Sequence, residues 1–412
     1  MNRHPFFIAV VLVAGAASAA HAGGRESWLR ASGYGLMFHY ECFKNHSARN
    51  YNEAIDSFDV ELFADAVAST KAGHVIFVIG QHWGRYCAPN SAYERLLGVE
   101  NGEWTSRRDL IMEIAEALNE RGIRLILYMT ARAPMRHYRV IKAMGDALPT
   151  INGKPAGPKV DTMSHPRKLK GFRRSENQPP TPVFLKNWGD VCGEWSRRYG
   201  ELVSGWWFDG YKMEMKDSYE ALRKEKYNID TWLAAVRSGN PAAELAFNAG
   251  AHPILSLCNR GKLCPHQTFT AGEQHDFKFK TKRLTPENFP APEDVVWHLL
   301  LPVSDGWGAG TKPRFDVALL RERIDEINAR TPPRSQPSLE SFSIHYRGRG
   351  QPVLVVRDSS GRLHRRSFTP GQIVSTASGE HPSSVRLIRT MNRARRGFKL
   401  KVPPETQRDP KQ

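Results

Sequence analysis

Four residues, Trp207-Phe208-Asp209-Gly210, carry the strongest chemical signal in the chain. An apolar run that starts at Gly205 ends in a carboxylate, and Gly210 lets the backbone turn away. In a parallel α/β barrel a strand that stops in this way opens onto the catalytic face. An acid flanked by Trp207 and Tyr211 is shielded at its sides and can serve as a nucleophile or a general base. An acidic turn after a buried strand is the plainer alternative. Three further strand ends weigh against it. Phe38-His39-Tyr40-Glu41, Ile79-Gly80-Gln81-His82-Trp83 and Leu127-Tyr128-Met129-Thr130 each put a hydrogen-bonding side chain where an apolar run stops. Aromatic rings stack on the C–H faces of a sugar, and imidazoles and phenols bind its hydroxyls. His39, His82, Trp83, Tyr128 and Trp207 are therefore expected to line a carbohydrate pocket around Asp209.

Alternating elements must hold these residues in place. Strands are expected over 35–40, 74–80, 124–130, 205–209, 244–248, 268–271 and 298–302. Helical periodicity fills several of the gaps. Ser106 reads as the N-cap of a helix that runs to Arg121 and stops at Gly122, and other helices are expected over about 185–199 and 217–237. Strands alternating with helices imply the α/β class and a parallel sheet, one strand short of a (β/α)8 TIM barrel. A helix over 315–329 should lead into that strand, with Leu319, Leu320, Ile324 and Ile327 on one face. Instead the chain runs Thr331-Pro332-Pro333-Arg334-Ser335-Gln336-Pro337-Ser338, a cluster that breaks strands. The expected organisation is a leader over 1–22, a barrel over 23–330 left unclosed at its last strand, and a basic Arg/Ser/Pro-rich tail over 331–412. The change of composition fits either a divergent tail or a shifted reading frame. The Pro/Gly/Lys-rich stretch 149–182 reads as a loop over the catalytic face or as an insertion without function.

Arg3, the apolar run from Phe6 to Val13 and the small residues ending in Ala20-His21-Ala22 form a secretory leader cut before Gly23. The run is too short for a membrane anchor. A secreted or periplasmic protein is expected, with no membrane span once the leader is removed. The formal net charge of +17 is uneven, since residues 331–412 hold 16 Lys+Arg against 5 Asp+Glu. Arg393-Ala394-Arg395-Arg396 suits nucleic acid or another anionic surface, but export argues against nucleic acid and favours a solvated charge run. Five cysteines in an exported chain predict at least one free thiol or an intermolecular bond. Cys258 and Cys264 flank a short loop and form the expected pair, while Cys42, Cys87 and Cys192 read as small buried apolar residues. No Cys/His spacing fits a zinc site, and no cofactor is expected.

Over roughly residues 27 to 310 the chain resembles the α-L-fucosidases of glycoside hydrolase family 29. The family's first-strand Gly-x-x-x-His followed by an aromatic is matched at Gly35-Leu36-Met37-Phe38-His39-Tyr40. Its apolar run ending in His-His is matched at Val78-Ile79-Gly80-Gln81-His82-Trp83, where only the first His is kept. Its Trp-Phe-Asp-Gly nucleophile motif is intact at Trp207-Phe208-Asp209-Gly210. The resemblance implies a retaining barrel hydrolase whose substrate is a fucose-containing glycan. Asp209 would be the nucleophile, His39 and His82 would hold the sugar hydroxyls, and Tyr128 and Trp83 would line the pocket. Where many relatives carry the acid/base Glu, at a fixed interval before Ser-Trp-Gly, this chain has His298, eight residues ahead of Gly306-Trp307-Gly308, and His298 would bind the sugar there. Glu273, freed by Gly272 after the strand at 268–271, is the best replacement, and Glu41 is a third option. The alternative is a carbohydrate-binding protein on the same barrel that has lost hydrolysis.

Overall fold

The computed structural model describes residues 27–32, 34–40, 48–82, 84–132, 137–157, 170–175, 178–211, 218–248, 266–273, 295–296, 298–302, 341–348, 356–357 and 363–364. Seven strands make one parallel sheet: β1 (Tyr34–Tyr40), β2 (His74–Val78), β3 (Arg124–Thr130), β4 (Val203–Asp209), β5 (Glu244–Asn248), β6 (His298–Pro302) and β7 (Ser341–Gly348). Their order across the sheet is β5-β4-β3-β2-β1-β7-β6. A parallel sheet covered on both faces needs strands that are apolar throughout. The five residues of β2, His-Val-Ile-Phe-Val, are accordingly all buried.

The expected strands appear, with two differences. The segment 268–271 is not a regular strand but is hydrogen-bonded on both sides. Thr268 donates its backbone N–H to Leu245 O at 2.9 Å, and Thr270 does so to Val296 O at 3.0 Å. Leu300 N–H in turn reaches Gly272 O at 2.8 Å, so residues 268–273 link β5 to β6. The second difference is β7, which lies beyond the expected limit of the barrel. It pairs in parallel with both β1 and β6, with Ser343 opposite Gly35 and Leu300. The sheet thus continues past the proline cluster into the segment read as a tail.

Helices pack against the sheet between strands. One spans Leu110–Glu120, and its N-cap is Asp109, not Ser106 as expected, because the Asp109 carboxylate accepts from Met112 N–H at 3.0 Å. Gly122 has φ +68°, the left-handed conformation expected after a helix end. Thr181 caps a helix over Pro182–Tyr199. The single helix expected over 217–237 is two, Ser218–Arg223 and Ile229–Val236, the second started by a capping box at Asn228 and Thr231. Part of 149–182 forms a small antiparallel sheet of Thr150–Ile151, Lys154–Pro155 and Phe172–Arg173. Among the described residues no helix is long and apolar enough to cross a membrane. Cys87 and Cys192 are buried and free, as expected; Cys42, Cys258, Cys264, the 315–329 helix and the leader lie outside the described residues.

The N-terminal end of the sheet is closed by a buried polar cluster. Ser27 Oγ donates to Glu244 Oε1 at 2.8 Å, and Ser32 Oγ meets His74 Nδ1 at 2.8 Å. The His74 ring occupies the space a Cβ on Gly35 would need, with His74 Cδ2 only 2.2 Å from that position, so β1 requires glycine there. His298 faces His74 at 6.2 Å between ring centroids, and both rings are fully buried. Burial lowers the His298 pKa from 6.5 to about 4, and burial with the neighbouring His298 lowers His74 well below its usual value. A depressed histidine pKa means that the folded state binds fewer protons than the unfolded one. Its contribution to stability is complete above pH 6.5 and is lost as pH falls toward 4. His298→Gln is expected to reduce the loss of unfolding free energy between pH 7 and pH 5 by about 2 kcal/mol, measured by urea titration at both values. An unchanged loss would place the acid sensitivity elsewhere.

Candidate active site

Asp209 and Glu273 meet at the C-terminal edge of the sheet. Asp209 is the last residue of β4 and pairs in register with Thr130 of β3 and Asn248 of β5, the last residues of their strands. Three donors fix its carboxylate. Tyr128 Oη donates to Oδ2 at 2.5 Å, and Gly210 N–H and Asn248 Nδ2 each donate to Oδ1 at 2.8 Å. Gly210, at φ +66°, makes the turn that folds its own N–H back onto the side chain before it. The same Asn248 nitrogen also donates to Glu273 Oε2. Two carboxylate oxygens that share one donor nitrogen lie within about 6 Å of each other, twice an ordinary hydrogen-bond length.

The two acids are not equivalent. Burial, and then the charge of Asp209, push the Glu273 pKa from 4.5 up to about 7, against the opposing hydrogen bond from Asn248. Glu273 therefore holds its proton into the neutral range, while Asp209 accepts three hydrogen bonds. An acid that keeps its proton beside a second carboxyl group at the same strand ends is the pairing that acid-assisted displacement requires.

A buried aromatic and amide layer supports this pair. Tyr128 and Trp207 stack with centroids 5.2 Å apart, and the His39 ring lies 4.7 Å from Tyr128. The Trp207 indole N–H donates to Ala271 O at 3.2 Å and so ties the segment carrying Glu273 to β4. Gln81 Nε2 meets His39 Nε2 at 3.0 Å and donates to the Tyr128 hydroxyl. Its Oε1 accepts from His82 N–H at 2.9 Å. His82 Cε1 lies 4.0 Å from the position a Cβ on Gly210 would take, which sets this ring beside the Asp209 turn.

The structure thus assembles Asp209, Glu273, Tyr128, Trp207, His39 and His82 in one place. His298 departs from its expected place at the sugar. It begins β6, whereas Asp209 ends β4, and its side chain is fully buried, with Nδ1 3.2 Å from Thr270 O and the ring against His74. It belongs to the closed N-terminal end of the sheet. Trp83 and Glu41 lie outside the described residues. Two residues were not anticipated, Asn248 and Gln81. Both stand at or just past a strand end in the sequence, and that position was the available signal.

If His39 and His82 hold hydroxyls, His39→Ala and His82→Ala should each raise KM and lower kcat together, because hydroxyl contacts strengthen in the transition state. A loss of about tenfold or more in kcat/KM is expected for each from steady-state kinetics, on the scale of one lost hydrogen bond to a polar ligand group. Wild-type kinetics in both variants would make these histidines structural.

No family model matches the chain, and no curated protein matches it by sequence. Solved structures that resemble it include glycoside hydrolases named for fucoidan or fucose. An endo-fucoidan hydrolase of glycoside hydrolase family 107 aligns with a TM-score of 0.51 at 15% identity, over 77% of this chain and 48% of that one. A second from that family aligns at 0.50 with 16% identity, over 77% and 58%. A family 29 α-L-fucosidase from Bacteroides thetaiotaomicron gives 0.46 at 12% identity, over 81% and 72%. The chain spans about half the length of the first of these. Identities this low show a shared fold, an α/β architecture built on a parallel sheet.

Proposed function

We propose that this protein is a retaining glycoside hydrolase that releases or cleaves at α-L-fucose in a fucose-bearing glycan. One observation carries the reading: Asp209 and Glu273 are joined through one amide nitrogen at the C-terminal edge of parallel strands. A shared donor brings one oxygen of each acid within about 6 Å, which suits the closer spacing of a retaining pair. In the first step Asp209 attacks the anomeric carbon, the glycosidic C–O bond breaks, and the Glu273 proton passes to the leaving oxygen. In the second step water gives a proton to Glu273 and attacks the same carbon, and the ester electrons return to Asp209. Of the two Asp209 oxygens, Oδ2 accepts one hydrogen bond and Oδ1 two, so Oδ2 is the better placed attacker.

Fucose enters the proposal through the resemblance of three strand-end motifs to family 29. The carbohydrate-binding alternative rested on the absence of an acid at position 298 and of an eighth strand. Glu273 beside Asp209 and the strand at Ser341–Gly348 weigh against that alternative. The same hydrogen bonds support a closed eight-membered barrel, with 268–273 joining β5 to β6 and β7 joining β6 to β1. The leader over 1–22 supports action outside the cytoplasm. Incubation with an aryl α-L-fucoside and a fucosylated oligosaccharide, followed by proton NMR, tests the reading. It requires α-L-fucose as the first anomer formed. The β anomer appearing first would make the enzyme inverting, and absence of hydrolysis on both substrates would remove the activity.

A further inference from the structure

Asn248 sits where two acids meet and is fully buried. Its strand pairs with β4 so that Asn248 and Asp209 are register partners, which puts their side chains on one face of the sheet. Its backbone carbonyl is held separately, accepting from Tyr211 N–H at 2.7 Å. The carboxamide nitrogen donates to Asp209 Oδ1 and to Glu273 Oε2. A side-chain amide bonded to a single acid would be ordinary packing. One that spans both acids at the strand ends has a consequence for the reaction.

We propose that Asn248 is a positioning residue that couples the two carboxylates, holding them in one hydrogen-bonded unit and supporting whichever of them carries the negative charge. The proposal rests on the two-acid reading above. In the free enzyme Asp209 accepts from Asn248, Tyr128 and Gly210 together. Once Asp209 is esterified it is neutral and accepts more weakly, and Glu273 has given its proton to the leaving group. The same amide then faces a Glu273 carboxylate, the form that must take a proton from water. Both half-reactions thus draw on one fixed donor without rearrangement. Among the described residues the Tyr128 phenol on β3 also bonds to Asp209, the His39 ring lies beside Tyr128, and the His82 ring lies by the Gly210 turn.

The test compares wild type with Asn248→Ala and Asn248→Ser by two measurements. One is kcat/KM against pH on an aryl α-L-fucoside. The other is carbon-13 NMR titration of the Glu273 carboxyl, assigned with Glu273→Gln. Loss of the donor should move both the alkaline limb and the Glu273 midpoint up by about one pH unit. The rate at pH 6 should fall by roughly a hundredfold, as for loss of one preorganised donor. Asn248→Ser, which keeps a shorter single donor, should show a smaller shift, and it stands in if the alanine variant does not fold. A Glu273 midpoint that stays in place or falls overturns the proposal, as does a rate lost equally at every pH. A wild type that titrates Glu273 near 7 yet cleaves no fucoside would remove the substrate reading alone, and the carboxyl titration would still decide the role of Asn248.

Discussion

Asp209→Ala is expected to reduce kcat by roughly four to six orders of magnitude while the protein remains folded. The carboxylate is half-buried at a strand end, and its three donors come from groups with other anchors. Tyr128 keeps its stacking on Trp207 and its bond from Gln81, and Asn248 keeps Glu273. The cost to stability should therefore be small beside the cost to chemistry, and circular dichroism with thermal melting separates the two. A second consequence follows from charge. Asp209 helps to raise the Glu273 pKa, so its removal should let Glu273 lose its proton at lower pH. Azide admitted to the vacated space should attack the anomeric carbon in one displacement, with Glu273 still serving as acid. The product would be a β-L-fucosyl azide, inverted relative to the substrate. A variant with near-normal turnover, or an azide product that retains the α configuration, would remove Asp209 as nucleophile.

The site was readable in the sequence to the extent that it depends on strand ends. Asp209 and Tyr128 stand on strands whose apolar runs stop where the strands stop, and Glu273 follows a glycine after such a run. Contacts between strands were not readable, because they depend on register. Gln81 reaches His39 and Tyr128 only because β1, β2 and β3 lie side by side. Asn248 is uncharged and gives no sign in sequence that it bridges two acids. His298 was placed by its interval to a downstream motif, and an interval does not say which end of a strand a residue occupies. The missing strand has a different cause. The other strands read as continuous apolar runs, whereas β7 alternates, with Phe342, Ile344 and Tyr346 between Ser341, Ser343, His345 and Arg347. A search for an apolar run beyond the proline cluster passes over it, while a search for period two finds it.

Glu273→Ala should lose activity in proportion to how badly the leaving group needs a proton. Glu273 keeps its proton up to about pH 7, so wild-type kcat/KM should be sustained below that value and fall above it as the acid ionises. A natural glycoside leaves as an alkoxide unless protonated, and its cleavage should drop by roughly three orders of magnitude or more in the variant. An aryl fucoside with an acidic phenol leaves unaided, and its first step should be nearly spared. His298→Ala is the control. Its ring is buried at the far end of the sheet, so it should lose stability and show no dependence on the leaving group. If His298 shows that dependence and Glu273 does not, an imidazole is the proton donor. Azide then separates the two acids by the hand of its product. With Glu273→Ala the glycosyl-enzyme still forms on Asp209, so azide in the space left by Glu273 attacks in the second step and gives the α-L-fucosyl azide. The same anion yields opposite anomers from the two variants only if one acid binds the sugar covalently and the other moves the proton. Identical anomers from both would refute the division of roles.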